Sequence, residues 1–145
     1  MVTALPWNVG FAIGHPEVDA QHRHLIQLIN EIISAVEQRT VDRLPTMLDA
    51  LVEAAAEHFR TEISALQEFL AQAHSRKQRP WPSRQVHALT DTGIDEHQAQ
   101  HGLLLSELGG FRTLAPPALC ARLKEWFVDH AIRQDARLRP IFQAI

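Results

Sequence analysis

Five histidines and two carboxylates recur at positions that can converge: His22; His58 and Glu62; His97 and His101; His130 and Asp135. His58–Glu62 and His97–His101 are each four residues apart, about 400° on an α-helix, so each pair projects from one face, a turn apart. Five imidazoles and two carboxylates exceed what one ordinary metal ion needs and suit two adjacent ions that share the carboxylates. The ligand types select iron, manganese, cobalt or zinc. A structural zinc site often draws on cysteine, and the only cysteine, Cys120, stands apart from the set. The oxygen-rich ligation of calcium is absent.

A histidine inside an apolar stripe is costly, because both ring nitrogens need partners and burial penalises the protonated form. Taken singly, each is as readily a satisfied core histidine. One or more on each of four helices would leave a large unsatisfied polar core without a metal. His130 and Asp135 pose a geometric problem: five residues are about 500° of ideal helix, leaving the two about 140° apart. Periodicity alone does not choose Asp135 over Asp129 or Gln134. There is no Glu-x-x-His and no His-Glu-x-x-His, so carboxylate-rich ferritin-like and zincin patterns are missing. Tyrosine is absent, which rules out a tyrosyl radical.

The elements that must position these residues are helices. Pro6, Gly10, Gly14 and Pro16 mark residues 1–16 as an extended arm, anchored by Trp7, Phe11 and Ile13. Val18, His22, Leu25, Ile29, Ile32 or Ile33, and Val36 predict a first helix over about 17–38. Pro45 suits the start of a second, over about 45–74, whose inward stripe includes Leu51, Ala55, His58, Glu62, Leu66 and Phe69. A third starts near Asp95 and stops at Gly109-Gly110, over about 95–108. A fourth follows Pro116-Pro117 over about 117–138, with Leu119, Leu123, Trp126, Phe127, His130 and Leu138 inward and Pro140 ending it. Such helices bury their stripes best as an all-α, antiparallel up-down four-helix bundle in one domain, 1–145.

The connection over about 75–94 departs from this economy. Helical bundles usually use links of about 2–8 residues. Here Arg76, Lys77, Arg79 and Arg84 surround Pro80-Trp81-Pro82, and Thr90-Asp91-Thr92-Gly93 reads as a turn. The segment is either a solvated basic loop or a small docking patch for a protein partner. His15, His24, His74 and His87 lie outside the ligand set and read as surface histidines.

The chain has 145 residues and a net charge of −3, which argues against a nucleic-acid partner. No apolar run is long enough to span a membrane, no signal peptide is evident, and a lone cysteine fits a reducing compartment. A cytoplasmic protein is expected.

Trp7, Val18-Asp19-Ala20-Gln21-His22, Leu25 and Asn30 open a pattern that His58-Phe59-Arg60-Thr61-Glu62 and His97-Gln98-Ala99-Gln100-His101 continue. Trp126-Phe127-Val128-Asp129-His130 and Asp135 complete it. This ordered set resembles the hemerythrin family, specifically its single-domain bacterial members, over nearly the whole chain. The resemblance implies two non-haem iron ions with an oxo or hydroxo bridge. It implies that His97, His101 and His130 hold one iron, that His22 and His58 hold the other, and that Glu62 and Asp135 bridge them. The second iron would keep a position for O₂, bound reversibly for sensing, storage or delivery. Two departures stand out: Ile63 where the family commonly has a second glutamate, and the longer connection, which the resemblance leaves free to gate the site or meet a partner. The competing readings are a diiron enzyme acting on peroxide, nitric oxide or ferrous iron, and a metal-dependent signalling module. No flavin or nicotinamide fingerprint and no Cys-x-x-Cys pair offers an enzyme its electrons.

Overall fold

His15 and Pro16 begin the first helix by complementary means. Pro16 occupies the first turn, where its missing N–H costs nothing. The Val18 N–H is accepted by His15 Nδ1 at 3.3 Å, so His15 serves as the cap rather than as a helical residue. The computed structural model describes residues 3–75 and 91–143. It contains α1 (Pro16–Glu37), α2 (Leu44–Ser75), α3 (Asp91–Gly110), α4 (Pro116–Val128) and a short α5 (Arg139–Gln143), with no strand among the described residues. The helix α1 ends where Arg39 turns left-handed (φ 58°) and the Thr40 N–H reaches back to the Ala35 carbonyl at 2.9 Å. α1 packs on α2 and α4, and α2 packs on α3, as a helical bundle.

Two apolar clusters make up the interior. The larger gathers Leu25, Ile29, Ile32, Leu51, Ala55, Phe59, Leu104, Leu108, Leu123 and Phe127. The smaller gathers Ile13, Val18, Ile63, Leu66, Phe69, Ile94, Leu138 and Ile141. Each long stripe crosses from one to the other, and the crossing points are polar. Along α1, His22 falls between Val18 of the smaller cluster and Leu25 of the larger. On α3, His97 and His101 fall between Ile94 and Leu104 in the same way. The seven candidate ligands therefore occupy a polar layer between two apolar ones.

Three boundaries differ from those read off the sequence. Asp91-Thr92-Gly93 is the first turn of α3, not a loop, because Asp and Thr are as much at home at helix N-termini as in turns. α3 runs through Gly109-Gly110, with Gly110 at a right-handed φ of −71°, before a 3₁₀ turn at Phe111–Thr113; glycine permits a left-handed stop but does not impose one. The expected fourth helix is broken. Regular α geometry ends at Val128, a π segment follows over Asp129–Gln134, then a 3₁₀ turn over Asp135–Leu138. Pro140 then sits inside α5 rather than ending a helix, again in a first turn where proline is tolerated. The basic segment with Trp81, and His87 beyond it, lie outside the described residues, as do all of residues 76–90 of the expected 75–94 connection.

Trp126 is a core anchor, buried, with its indole N–H on the Leu104 carbonyl at 3.1 Å. Cys120 is buried too, and burial, with Glu37 nearby, pushes its thiol pKa up, away from a reactive thiolate. No helix among the described residues is long and apolar enough to cross a membrane.

The layered core makes a plain prediction. Leu51→Ala removes a fully buried side chain from the larger cluster and should cost about 2–5 kcal/mol in urea unfolding. Leu103→Ala, on a residue 72% exposed, should stay within about 0.5 kcal/mol of wild type.

Candidate metal centre

All seven candidate residues meet in the polar layer. His22, His58, Glu62, His101, His130 and Asp135 are buried, and His97 keeps a side-chain exposure of 12%. They form two overlapping groups that could each hold a metal ion: His22, His58, Glu62, His130 and Asp135; and Glu62, His97, His101 and Asp135. Glu62 and Asp135 belong to both. Within each group the potential ligand atoms lie within 4.8 Å of one another.

Asp135 reaches this place because of the π segment. A π turn closes its hydrogen bonds from i to i+5, so residues five apart come round to the same side instead of about 140° away. His130 and Asp135 are five apart and their Nε2 and Oδ2 atoms are 2.6 Å apart. The same Oδ2 lies 2.7 Å from His22 Nε2 and 3.2 Å from His58 Nε2. Glu62 serves the other group, with Oε1 in contact with His97 Nε2 and 3.3 Å from His101 Nε2.

Hydrogen bonds outside the layer decide where the ring protons sit. The Phe11 carbonyl accepts from His22 Nδ1 at 2.6 Å, and a carbonyl can only accept, so Nδ1 carries the proton. Gln21 does the same for His58. Its Nε2 donates to Thr61 Oγ1 at 2.9 Å, and Thr61 donates to the Glu57 carbonyl at 3.1 Å. The Gln21 oxygen is thereby turned to His58 Nδ1, at 3.0 Å. In the neutral imidazoles both Nε2 lone pairs then face inward, toward carboxylate oxygens that also only accept. A cation must stand between such atoms, either protons or metal ions.

The donor set fits metal ions. Imidazoles that give their outer N–H to a carbonyl or amide, with the inner nitrogen free, are the usual form of metal-bound histidine. Ligand atoms about 2.1 Å from an ion and at right angles lie about 3 Å apart. The His58–His130 Nε2 separation is 3.0 Å, and Glu62 Oε2 lies 3.3 Å from His58 Nε2. Glu62 Oε2, Asp135 Oδ1, His130 Nδ1 and both ring nitrogens of His101 are buried without a hydrogen-bond partner among the described residues. Orphaned acceptors of this kind are expensive unless a cation satisfies them.

Protonation is mostly that of a ligand set. Burial opposes ionisation of Asp135, but His130, His22 and His58 hold its pKa well below the ordinary value. Glu62 is likewise lowered: burial and Asp135 oppose its charge, and His101 and His97 outweigh them. Burial lowers the pKa of His58 and of His101. Burial also works against charge on His22 and His97, yet the Asp135 and Glu62 carboxylates respectively reverse it and leave both raised.

Aromatic faces complete the walls. Phe59 stacks on His101 with centroids 4.1 Å apart, and Trp126 lies nearly parallel to His130 at 6.2 Å. The sequence resemblance puts His130 with His97 and His101. In the structure its Nε2 joins His22 and His58, drawn by Asp135 Oδ2, while its ring lies between the groups, 5.1 Å from His58 and 6.0 Å from His101. Gln21, Thr61 and the Phe11 carbonyl are the participants that residue spacing did not reveal. Gln21 and Thr61 at least stand inside the quoted motifs, whereas a backbone carbonyl leaves no sequence signal. Of the remaining histidines, His24 is exposed and His15 packs edge-on to Phe142, 5.2 Å between centroids. Ile63 is buried in the smaller apolar cluster.

No family model matches the chain, and no curated protein matches its sequence.

Two outcomes test this geometry. Deleting Ile132, an exposed residue of the π segment, should restore α geometry and leave His130 and Asp135 four residues apart, about 400° of regular helix and so still on one face. The variant should keep its helical circular dichroism and its metal uptake; loss of uptake would show that the one-residue π insertion is not what aligns Asp135 with His130. Metal binding should also release protons, because His22 and His97 have raised pKa values and must be neutral to ligate. Affinity should therefore weaken as pH falls from about 8 to about 6, and calorimetric enthalpies should depend on the buffer's ionisation heat.

Proposed function

We propose that the chain is a hemerythrin-like diiron protein that binds O₂ reversibly. The observation that carries this reading is the pair of overlapping ligand groups with Glu62 and Asp135 common to both. Two shared carboxylates are what a pair of adjacent divalent ions requires, since each spreads its charge over both ions and holds their separation. Bound there, two ferrous ions would supply two electrons for reversible O₂ binding.

The clusters alternate along the chain: α1 and α3 start in the smaller apolar cluster and end in the larger, and α2 does the reverse. We infer from this an antiparallel up-down bundle, so that each long helix delivers its ligands to one layer. His97, His101 and His130 are assigned to one iron, with His22 and His58 on the other. His130, whose ring centroid is 6.0 Å from that of His101, would turn its Nε2 from His22 and His58 to join His97 and His101.

The protein's part is positioning and exclusion. The Phe11 carbonyl and Gln21 hold the His22 and His58 lone pairs inward before any ion arrives. Phe59, Trp126 and Phe127 line the imidazoles with carbon, so the layer offers few protons to a reduced oxygen species. No tyrosine stands in the chain to donate a proton or an electron. An environment poor in protons favours release of O₂ over its further reduction, which separates carriage from the peroxide, nitric oxide or iron-oxidising chemistries. Binding of iron to the assembled site alone would also stabilise the fold by mass action.

The test is anaerobic ferrous loading followed by O₂, watched by optical spectroscopy. About two irons per chain should be retained, with a charge-transfer band that appears with O₂ and disappears when it is removed. One bound zinc and no iron uptake under reducing conditions would overturn the diiron assignment. Rapid oxidation that deoxygenation does not reverse would leave the diiron site standing and replace carriage with enzyme chemistry.

A further inference from the structure

The stretch that follows the π segment acts on both ends of the His22 ring. Asp135 Oδ2 is 2.7 Å from His22 Nε2. Four residues on, Arg139 opens α5 and spans the N-terminal segment: its Nε donates to the Ala12 carbonyl at 2.9 Å and its Nη2 to the Gly10 carbonyl at 2.7 Å. These two carbonyls flank the Phe11 carbonyl that accepts from His22 Nδ1 at 2.6 Å. One short stretch, Asp135 to Arg139, thus grips both sides of one imidazole, directly at Nε2 and through the backbone at Nδ1.

The rest of the segment is fastened so that this grip can act. The Asp19 carboxylate accepts the Ile13 N–H at 2.7 Å and the Gly14 N–H at 3.3 Å, beyond the Phe11 carbonyl. Gly14 has a φ of 90°, which lets the chain turn there into α1. Before it, the Asn8 side chain closes the 3₁₀ turn Val9–Phe11 by accepting from the Gly10 N–H at 2.7 Å. The Phe11 ring seats against Phe127 with centroids 5.1 Å apart, and Ile13 is fully buried. A second anchorage lies farther off and does not touch the site: Asn30 holds Leu5 through both its N–H, at 2.7 Å, and its carbonyl, at 2.9 Å.

We propose that Arg139 is a positioning residue for the metal centre: by pinning the carbonyls on either side of Phe11 it presents the Phe11 carbonyl to His22 Nδ1, so that docking of residues 8–14 and metal binding are coupled through one imidazole. The proposal rests on the reading of His22 as a ligand. Without Arg139 the Phe11 carbonyl loses its fixed aim, and the His22 proton is free to move to Nε2, where it blocks a metal ion. The coupling is reciprocal: if the docked segment favours the metal, the metal favours the docked segment.

The test uses the full chain with cobalt(II) as the probe, followed by visible absorption and calorimetry, together with amide hydrogen exchange over residues 11–14. Arg139→Gln should weaken cobalt binding about tenfold or more, the range for loss of an outer partner of a metal-bound histidine. Arg139→Lys, which keeps the charge but offers no planar fork, should restore part of that affinity. Asn30→Ala, which frees only the distant anchorage, should stay within about twofold of wild type. In the wild type, cobalt should slow exchange at the Ile13 and Gly14 amides, and Arg139→Gln should abolish that slowing. Equal losses in Arg139→Gln and Asn30→Ala, or wild-type affinity in Arg139→Gln, would overturn the proposal. If Arg139→Gln does not fold, wild-type exchange decides alone: no metal-dependent change at residues 11–14 defeats it. Failure of the parent reading is distinct, because His22→Ala would then bind cobalt as tightly as wild type.

Discussion

Asp135 Oδ2 is approached by three imidazoles from three parts of the chain: His22 on α1, His58 on α2 and His130 in the π segment. A buried carboxylate is intolerable alone, and so is a cluster of buried imidazoles; each makes the other admissible only where positive charge is shared among them. Glu62 repeats the arrangement toward His97 and His101. The two carboxylates set the demand for cations at the centre of the bundle, and the remaining features of the interior are arranged around it.

The layered interior follows from that demand. A polar layer at one end of a bundle would be solvated and its charges screened. Here apolar clusters close it on both sides, with Phe59, Trp126 and Phe127 against the rings. Screening is therefore weak and the carboxylates act strongly on their neighbours. That is why His22 and His97, in contact with Asp135 and Glu62, are drawn toward the charged form, while burial and neighbouring imidazoles keep His58 and His101 from it. A bound metal ion would replace the shared protons and relieve the orphaned acceptors in one step, so metal and fold become parts of one equilibrium.

The imidazoles of the layer are held in two different ways. His22 and His58 are keyed from outside by a backbone carbonyl and by the Gln21–Thr61 relay. His101 and His130 have no hydrogen-bond partner at Nδ1 among the described residues and lean instead on aromatic faces. Hydrogen bonds fix both a ring's tautomer and its direction, whereas stacking fixes its plane and leaves it free to slide. Two of the imidazoles are thus preorganised and two adaptable, a division compatible with a site that could take up a metal ion.

Much of this was legible in the residues. Four amphipathic stripes set the number of long helices, and histidines and carboxylates recurring within those stripes marked the layer, because a polar residue at an inward position is readable from a 3.6-residue period. His58–Glu62 and His97–His101 needed nothing more than helical geometry to meet. Asp135 did need more: on a regular helix it faces away from His130, and only the π segment, chosen by packing of Leu138 and Ile141 into the smaller cluster while His130 stays in the layer, brings it round. The bounds of α3 escaped for a related reason, since Asp, Thr and Gly serve loops and helix ends alike and tertiary packing selects between them. The Phe11 carbonyl and its bracing by Arg139 could not be read at all. Every residue carries the same carbonyl, and which one faces a histidine is decided by where the folded chain passes, not by any side chain. Local periodicity, then, determined the helices and the identity of the donors; the tertiary structure decided their register and proton positions, because those depend on contacts between different elements, some of them more than a hundred positions apart.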